Sequence, residues 1–342
     1  MPIQFEFLPV DGDAILVTTE DFVMLIDGGG KSTYRRLKER LELLKRPIDL
    51  VVLTHIDEDH IFGLIKLFQD IRDKTTNIKV KKIWFNCLLD RKFLIESGNN
   101  DNSPAISQKQ AEDFSSLLKE SALLEIEYLN DVYCEKHPYN ETLSLSSSLK
   151  IRLLSPMHDP FENFNNNCDA ELFDKQDMLI THGNDYHLSI EKLMKIPFKN
   201  DSSKTNASSI AFIMFYGDYQ FLMLADANIE IITKQLLSIF QSNPTINNSF
   251  EFVKISHHGS AKNTSDEFLD IIDCQHFIFC ARGDSLPSKQ TIVRIIKNAI
   301  KNNSINNMYI NKSLTDNQQD LVSEGYGSNF NFSEKNYFEY GL

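Results

Sequence analysis

The sequence predicts an α/β fold whose central strand ends in a metal-binding loop. Leu50–Leu53 is a short apolar run rich in β-branched residues, which is typical of a strand buried on both faces. Directly after it, His55, Asp57, Asp59 and His60 place two imidazoles and two carboxylates within six residues. Strand-like and helix-like patterns then alternate along most of the chain, as they do in α/β proteins.

The elements before this loop are predicted from alternation, turns and helical spacing. The alternating segment 3–8 indicates a strand, and a turn at Asp11-Gly12-Asp13 leads into a hairpin. Ser32 can cap a helix, because its side chain accepts a hydrogen bond from a free N–H of the first turn. The predicted elements up to the loop are strands over 3–8, 14–18, 22–26 and 50–53, and a helix over 32–45.

The elements after the loop continue the alternation, with two polar interruptions. Segments 90–140 and 157–205 are interpreted as insertions at the rim of the fold, the second being the best candidate for a mobile lid. We predict one domain over 1–312 and a polar tail over 313–342 that docks on the surface or frays. The predicted elements are strands over 81–86, 150–155, 209–215, 219–224, 251–255, 275–281 and 306–311, and helices over 61–72, 228–240, 265–273 and 289–302.

The composition excludes several classes of protein. No apolar run approaches the roughly 20 residues that span a bilayer, and the N-terminus lacks the basic region of a secretory signal. The five cysteines include no C-x-x-C pair, so we interpret them as reduced thiols and not as a disulfide or zinc framework. We therefore expect a cytoplasmic protein with no membrane partner. The net charge of −13 argues against tight unaided binding of duplex DNA.

The candidate ligands follow three different predicted strands. The cluster over 55–60, Asp226, and the pair His257-His258 each stand at a strand's carboxyl end, where open α/β sheets place their sites. Two divalent cations ~3.5–4 Å apart need a bridging carboxylate and further ligands on each side. Asp226 is the natural bridge, because it arrives alone from its own strand. Such a pair lowers the pKa of a shared water and generates a hydroxide nucleophile, so no serine or cysteine is required.

Five motifs, taken in their order along the chain, resemble those of the metallo-β-lactamase superfamily. The likeness is strongest to the branch that contains the metallohydrolase domain of the ComEC-type competence DNA-uptake channel. The family's H-x-H-x-D-H appears at 55–60, with Asp57 in place of the second His, as is usual in that branch. Asn206-Ala207-Ser208-Ser209 also resembles the N-x-x-S that replaces a further His ligand there. The other four motifs are Asp11-Gly12-Asp13-Ala14, Leu25-Ile26-Asp27-Gly28-Gly29, Leu224-Ala225-Asp226-Ala227 and Ile255-Ser256-His257-His258-Gly259-Ser260.

The resemblance implies an αββα sandwich, with two mixed sheets face to face, helices outside and two metal ions at one edge. It implies that Asp27, Asn206 and Ser209 support the ligands without binding metal, and that Asp59 and His257 take part in catalysis. His257 has three open roles: supporting a ligand, contacting a phosphate or donating a proton. The implied metal ligands are His55, Asp57, Asp59, His60, Asp226 and His258.

Two departures from the family pattern leave questions open. The third-motif His has no clear counterpart, and the candidates to replace it are Asn206, Ser209, His182 and His187. Leu286-Pro287 stands where the branch has His-Pro. The carboxylate of Asp57 favours manganese or magnesium, whereas the histidines suit zinc, so we expect Zn²⁺ or Mn²⁺.

Plainer interpretations of the same residues exist. The cluster over 55–60 can be read as a solvated acidic helix cap, and Asp226 as the N-cap of a helix near 228. Asp27 can be read as a structural turn residue. These alternatives predict side chains that bond to free backbone N–H groups instead of to one another.

The predicted function is a dinuclear metal-dependent hydrolase, most simply a nuclease or nucleotide phosphodiesterase that uses a metal-bridging hydroxide. The charge of −13 favours single strands, short substrates, or a protein partner that delivers nucleic acid. One alternative is a lactonase or thioesterase acting on a small molecule, for which the lid should be apolar. Another is a non-catalytic binding module with the same fold. The apolar lid residues would be Phe161, Phe164, Phe173 and Met178.

Overall fold

In the computed structural model, two mixed β-sheets pack face to face between outer layers of helices, as predicted. The structure describes residues 2–86, 106–120, 123, 125–158, 185–283, 285–323 and 328–341. In spatial order, the first sheet consists of β15 (Tyr337–Tyr340), β1 (Ile3–Phe7), β2 (Ile15–Thr18), β3 (Val23–Ile26), β4 (Leu50–Leu53), β5 (Lys82–Phe85) and β6 (Glu127–Leu129). The second consists of β14 (Phe330–Glu334), β13 (Asn306–Ile310), β12 (His276–Phe279), β11 (Phe252–Lys254), β10 (Tyr219–Met223), β9 (Ala211–Tyr216), β8 (Leu149–Ser155) and β7 (Leu143–Ser144).

Parallel pairing in both sheets brings strand carboxyl ends to one edge. Strands β3 to β6 are parallel in the first sheet, and β10 to β14 are parallel in the second. The helices are α1 (Tyr34–Leu44), α2 (Glu58–Arg72), α3 (Ile106–Leu118), α4 (Ile190–Leu193), α5 (Lys204–Ala207), α6 (Ile229–Ser242), α7 (Asp266–Ile271), α8 (Lys289–Asn302) and α9 (Asp316–Ser323).

The apolar residues form three layers, which is what a four-layer sandwich requires. One cluster lies between the sheets, where Phe5 of β1 contacts Phe221 and Phe252 of the second sheet at ring-centroid distances of 4.6 and 4.9 Å. A second cluster lies between the first sheet and helices α1 to α3. A third lies between the second sheet and helices α6 to α8. Strand β4 is buried along its whole length, as its continuous apolar run predicts.

The first helix begins at Tyr34 with Thr33 as its N-cap residue and no side-chain capping bond, so the predicted Ser32 cap is wrong. Two further boundaries differ from the sequence-based expectations. Helix α2 begins at Glu58 and not near residue 61, because polar ligand candidates form its first turn and apolar periodicity cannot detect them. The segment 313–342, expected to be a tail, contributes an edge strand to each sheet. Strand β14 pairs with β13, and β15 pairs with β1 in the register Ile3 to Tyr340. Alternating apolar residues in both strands bury against the sheets, so residue 312 does not separate a tail from the core.

A close backbone contact fixes the turn after β3 against helix α2. A Cβ atom added to Gly63 would lie 1.9 Å from the carbonyl oxygen of Gly28, a distance that no side chain can occupy. The N–H of Gly28 donates to the carbonyl of His60 at 2.8 Å. The glycines therefore let the turn that carries Asp27 approach the helix that carries His60.

Among the described residues, no helix combines the length and apolar character that crossing a bilayer requires.

Candidate metal centre

Four imidazoles surround one carboxylate oxygen at the edge of the sandwich. Asp226 Oδ2, just beyond β10, lies 3.5 Å from His60 Nε2 and 3.5 Å from His258 Nε2. His55 Nε2 and His257 Nε2 lie 3.7 and 3.8 Å from the same oxygen. The side chain of His257 is 20% exposed, and the other four are fully buried. Three chain segments that are distant in sequence thus meet at Asp226.

The possible ligands divide into two groups on either side of Asp226. On one side, His55 Nε2 lies 3.7 Å from Asp57 Oδ2. On the other, His258 Nε2 lies 3.0 Å from Asp59 Oδ2. The ligand atoms of His55, His60 and Asp226 all lie within 4.8 Å of one another, so the two groups adjoin at Asp226. We name two positions: position A comprises His55, Asp57 and Asp226, and position B comprises Asp59, His60, His258 and Asp226.

Asp27 holds His60 from behind, at the end of β3. Its backbone has φ 58°, a left-handed conformation that Asp tolerates better than most residues. Asp27 Oδ2 accepts from His60 Nδ1 at 2.8 Å, and the Thr54 N–H and O–H both donate to the carboxylate at 2.7 Å. Since Nδ1 carries the proton in this bond, Nε2 of His60 is directed toward Asp226 with its lone pair.

The other two buried imidazoles are held in the same way. His258 Nδ1 donates to the carbonyl of Cys280 at 3.0 Å. His55 Nδ1 lies 3.1 Å from Thr54 Oγ1, whose own proton is donated to Asp27, so the hydroxyl oxygen accepts. In each ring a bond at Nδ1 leaves Nε2 as the donor atom for a cation.

The capping alternatives do not account for these side chains. Asp57 is the N-cap residue of α2, but its side chain accepts no capping hydrogen bond. Helix α6 is capped by Asn228, whose side chain accepts from the N–H groups of Glu230 and Ile231. Asp226 is therefore left free to face the imidazoles.

The polar atoms at the centre lack partners that a cation would supply. His55 Nε2 and both carboxylate oxygens of Asp59 and Asp226 are buried without a hydrogen bond among the described residues, and only Asp59 Oδ2 has close ion-pair contacts, with His258 and Arg282. Buried polar atoms are normally paired, and an unpaired buried carboxylate is especially costly. Imidazole nitrogens and carboxylate oxygens are suitable ligands for zinc or manganese. The side chains present thus fit a pair of divalent cations.

A polar cavity of about 570 Å³ opens beside position A. Its only aliphatic lining side chain among the described residues is that of Leu286, which stands where the resembled branch has His. The lining residues are Asp57, Asp201, Ser203, Asn206, His257, Ser260, Lys262, Arg282, Gly283, Ser285 and Leu286.

Comparison with known proteins gives one family match. The model of the metallo-beta-lactamase superfamily matches residues 8–86, the part of the chain that carries Asp13, Asp27 and the cluster over 55–60. The resemblance to this superfamily is thereby confirmed. The match does not distinguish the ComEC-type branch. No curated protein sequence matches the chain.

Several solved structures align along the whole chain, but loosely. The metallo-beta-lactamase fold protein YhfI from Bacillus subtilis aligns at a TM-score of 0.46 with 10% identity, covering 99% of this chain and all of that one. A diphosphatase of the PhnP family aligns at 0.44 with 11% identity, covering 100% and 99%. CmlA, a diiron β-hydroxylase from Streptomyces venezuelae, aligns at 0.43 with 11% identity, covering 100% of this chain and 54% of that one. At these values we draw nothing about activity from the likeness.

In the metal centre, burial and charged neighbours shift the pKa values strongly. Burial by itself would lower the pKa of His258, but the carboxylates of Asp226, Asp13 and Asp59 outweigh it and raise the pKa to about 9. The pKa of His60 is likewise raised above its usual value, against burial, by Asp226, Asp27 and Asp59. Burial would raise the pKa of Asp226, yet the surrounding imidazoles hold it well below its usual value. Without metal, protons on the imidazoles offset the carboxylates.

These shifts predict how the metal-free protein responds to pH. The folded pKa of His258 is about 9 and the ordinary value is 6.5, so its stabilisation is complete below pH 6.5 and is lost as pH rises through 9. The melting temperature of EDTA-treated protein is therefore expected to fall between pH 6.5 and 9. Thermal melts with and without bound metal measure this, and the metal-loaded sample serves as the control. An EDTA-treated protein that melts no lower at pH 9 than at 6.5 would contradict the expectation.

Several residues of the centre were not identified from the sequence. Lys254 of β11 is fully buried, pairs with the Asp13 carboxylate and donates to the Ala225 carbonyl at 3.0 Å. Its Nζ also lies 4.0 Å from Asp226 Oδ1. Arg282 Nε lies 3.1 Å from Asp59 Oδ2. The signal for Lys254 in the sequence is a lysine next to the apolar residues Phe252, Val253 and Ile255, because lysine is almost never fully buried unless it is paired.

Of the remaining predicted residues, the structure describes Asn206, Ser209 and His187. Asn206 is buried beside position A and donates to Asp201 Oδ2 at 2.6 Å, and Ser209 is buried with its hydroxyl unpartnered among the described residues. His187 is exposed. The side chains proposed for the lid or for the missing ligand that lie outside the described residues are His182, Phe161, Phe164, Phe173 and Met178.

Proposed function

We propose that this protein is a dinuclear metal-dependent phosphodiesterase of the ComEC-type branch, with nucleic acid or a nucleotide as substrate. His55 and Asp57 would hold one cation at position A, and Asp59, His60 and His258 the other at position B, with Asp226 shared between them. Bound there, a pair of Zn²⁺ or Mn²⁺ ions supplies a Lewis acid and lowers the pKa of water to near neutrality.

The charge of the centre favours an anionic substrate. Asp27 behind His60, Asp201 at the cavity and the ligands Asp57, Asp59 and Asp226 carry five negative charges. Two divalent cations, Arg282 and Lys262 carry six positive charges, which leaves one net positive charge. The buried pair of Lys254 and Asp13 adds none, because its charges cancel. A positive centre at the base of an open cavity attracts a phosphodiester more strongly than a neutral ester.

Arg282 at the cavity mouth is the observation that carries the proposal. Its side chain is 43% exposed and its Nε lies 3.1 Å from Asp59 Oδ2, so Arg282 borders both position B and solvent. Arginine presents paired donors that match the oxygens of a phosphate. Lys262 lines the same cavity, whereas a pocket for an apolar ester would have apolar walls. These features support phosphodiester cleavage over the lactonase or thioesterase alternative.

The side chains of the chain itself bind and orient the substrate in this proposal. Arg282 contacts a phosphate oxygen, Asp59 is held between Arg282 and His258, and polar side chains line the cavity. The net charge of −13 disfavours duplex DNA, so we propose single-stranded or short substrates, or a protein partner that delivers them.

Activity assays of purified protein test the proposal directly. Metal-stripped protein is given Mn²⁺ or Zn²⁺ and single-stranded DNA, RNA, cyclic nucleotides, a lactone or a thioester, with Asp59→Ala as the inactive control. We expect metal-dependent cleavage of at least one phosphodiester by the wild type and none by the variant. Cleavage of the lactone or thioester alone would favour the alternative hydrolase. Metal binding without any cleavage would favour a binding module.

Replacing Arg282 separates phosphodiesters from neutral esters. We expect Arg282→Ala to lower kcat/KM for bis(p-nitrophenyl) phosphate by about 10- to 100-fold, since a hydrogen bond to a charged group contributes about 1.5–3 kcal/mol. Hydrolysis of p-nitrophenyl acetate should change little. Lys297→Ala is the matched control, because Lys297 is a half-exposed cation paired with Asp266 away from the cavity. Equal losses on both substrates would show that Arg282 does not select for phosphate.

A further inference from the structure

Position A lacks the third-motif histidine that its family relatives use. Of the candidates within the described residues, Asn206 offers only an amide and Ser209 only a hydroxyl, and His187 is exposed. Position B has two imidazoles and a carboxylate beside Asp226, whereas position A has one of each. A cation at position A is therefore short of one donor if nothing else contributes.

We propose that His257 supplies this donor and binds the cation of position A together with His55 and Asp57. The proposal rests on the two-metal centre argued above and adds a ligand to it. Its geometric basis is the match between the two rings: His257 Nε2 and His55 Nε2 lie 3.8 and 3.7 Å from Asp226 Oδ2. In position B, His60 and His258 lie at 3.5 Å from this oxygen. His257 thus makes the two positions alike, with two imidazoles each.

The hydrogen bonds behind His257 direct Nε2 into the centre. Asn263 Nδ2 donates to Asp201 Oδ2 at 3.1 Å, and this bond fixes the amide so that Asn263 Oδ1 faces the ring. That oxygen lies 3.1 Å from His257 Nδ1 and can only accept, so Nδ1 carries the proton and Nε2 the lone pair. Asp201 Oδ2, 3.6 Å from Nδ1, favours the same arrangement. Asn206 Nδ2 donates to Asp201 Oδ2 at 2.6 Å, and its 3.2 Å contact with His257 Nδ1 is not a hydrogen bond in this arrangement, because both nitrogens carry protons.

The backbone conformation supports the assignment independently. His257 has φ 49° and ψ 51°, and His258 has φ 53° and ψ 16°, so two consecutive residues with side chains are left-handed. Gly259 follows at φ 83°. Strained conformations of this kind persist where the surrounding structure requires them and cluster at functional sites. In this turn the two adjacent imidazoles both face the Asp226 carboxylate. In an extended strand, two adjacent side chains would point to opposite faces.

Two other roles for His257 make different predictions. The side chain is 20% exposed and lines the cavity, so it can also contact a phosphate or donate a proton to a leaving group. If His257 has either of these roles, its substitution changes turnover but leaves the number of bound cations and their affinities unchanged. If His257 is a metal ligand, its substitution changes turnover and also weakens cation binding. Metal binding without substrate therefore distinguishes the roles.

The experiment is a titration of metal-stripped protein with Mn²⁺ and with Zn²⁺ by calorimetry, together with elemental analysis after dialysis. We expect two cations in the wild type. In His257→Ala, one cation should keep its wild-type Kd and the other should bind at least about tenfold more weakly. With Co²⁺, the visible absorption of that second cation should also change. His187→Ala, an exposed histidine substitution, is the control and should match the wild type. Two cations with unchanged Kd values in His257→Ala would overturn the proposal.

A second variant tests the assignment without removing the imidazole. Asn263→Ala removes the oxygen that fixes the His257 ring, so it should weaken binding of the position A cation by a smaller factor and leave binding of the other cation unchanged. Circular dichroism of each variant in EDTA reports whether it folds. A wild type that binds no cation would contradict the proposed function as a whole. A wild type and both variants that bind two cations equally well would contradict only the assignment of His257.

Discussion

Replacing Asp226 with asparagine is expected to abolish tight binding of both cations and to lower kcat/KM by about 10³-fold. Asp226 Oδ2 lies within 3.8 Å of the Nε2 atoms of all four histidines, so its carboxylate is common to both positions. An amide keeps the shape but loses the charge. Losing a metal pair removes several kcal/mol of transition-state stabilisation, and about 4 kcal/mol corresponds to 10³-fold.

Elemental analysis and the phosphodiesterase assay measure this effect together. Asp218→Asn is the matched control, because Asp218 is exposed in the turn between β9 and β10. The control should bind two cations and retain full activity. An Asp226→Asn protein that is folded, holds two cations and turns over at the wild-type rate would show that Asp226 is not the bridge.

The second large effect is on stability: Lys254→Met is expected to lower the free energy of unfolding by about 3–5 kcal/mol. Lys254 and Asp13 are both fully buried and form an ion pair beneath the centre. Burial would lower the pKa of Lys254, but Asp13 and Asp226 outweigh it and keep the ammonium charged. Methionine fills a similar volume and leaves the Asp13 carboxylate buried without its partner. Urea denaturation in EDTA measures the loss without a contribution from metal.

A double variant tests whether the unpaired charge is the cause. Asp13→Asn combined with Lys254→Met removes both charges, so it should be more stable than Lys254→Met alone. Lys297→Met removes a half-exposed ion pair and should change the free energy by less than about 1 kcal/mol. If the double variant is less stable than the single one, the buried pair does not explain the role of Lys254.

The parts of the fold that the sequence predicts are those with local patterns. Strand β4 is a continuous apolar run, and the cluster over 55–60 lies within one turn and the start of one helix. The hairpin formed by β9 and β10 carries its turn residues between two apolar runs. Each of these features depends on residues close in sequence, where periodicity and turn chemistry are informative.

The parts that the sequence does not predict depend on distant contacts. Strand β15 pairs with β1, so that Tyr340 lies opposite Ile3, and no local sequence pattern predicts a partner strand so distant in the chain. Lys254 and Asp13 meet only when the two sheets close. The orientation of His257 depends on a left-handed backbone at a residue with a side chain, which its identity does not predict. The motifs thus locate the centre and name His257, but they do not predict the buried ion pair of Lys254 and Asp13 or the orientation of the His257 ring.

Anomalous diffraction from crystals of the metal-loaded protein tests the central claim most directly. Data collected at the zinc or manganese absorption edge should show two peaks ~3.5–4 Å apart. One peak should lie among His55, Asp57 and Asp226, and the other among Asp59, His60 and His258. Metal-loaded crystals whose anomalous peaks lie elsewhere, or that show none between these side chains, would contradict the two-metal centre.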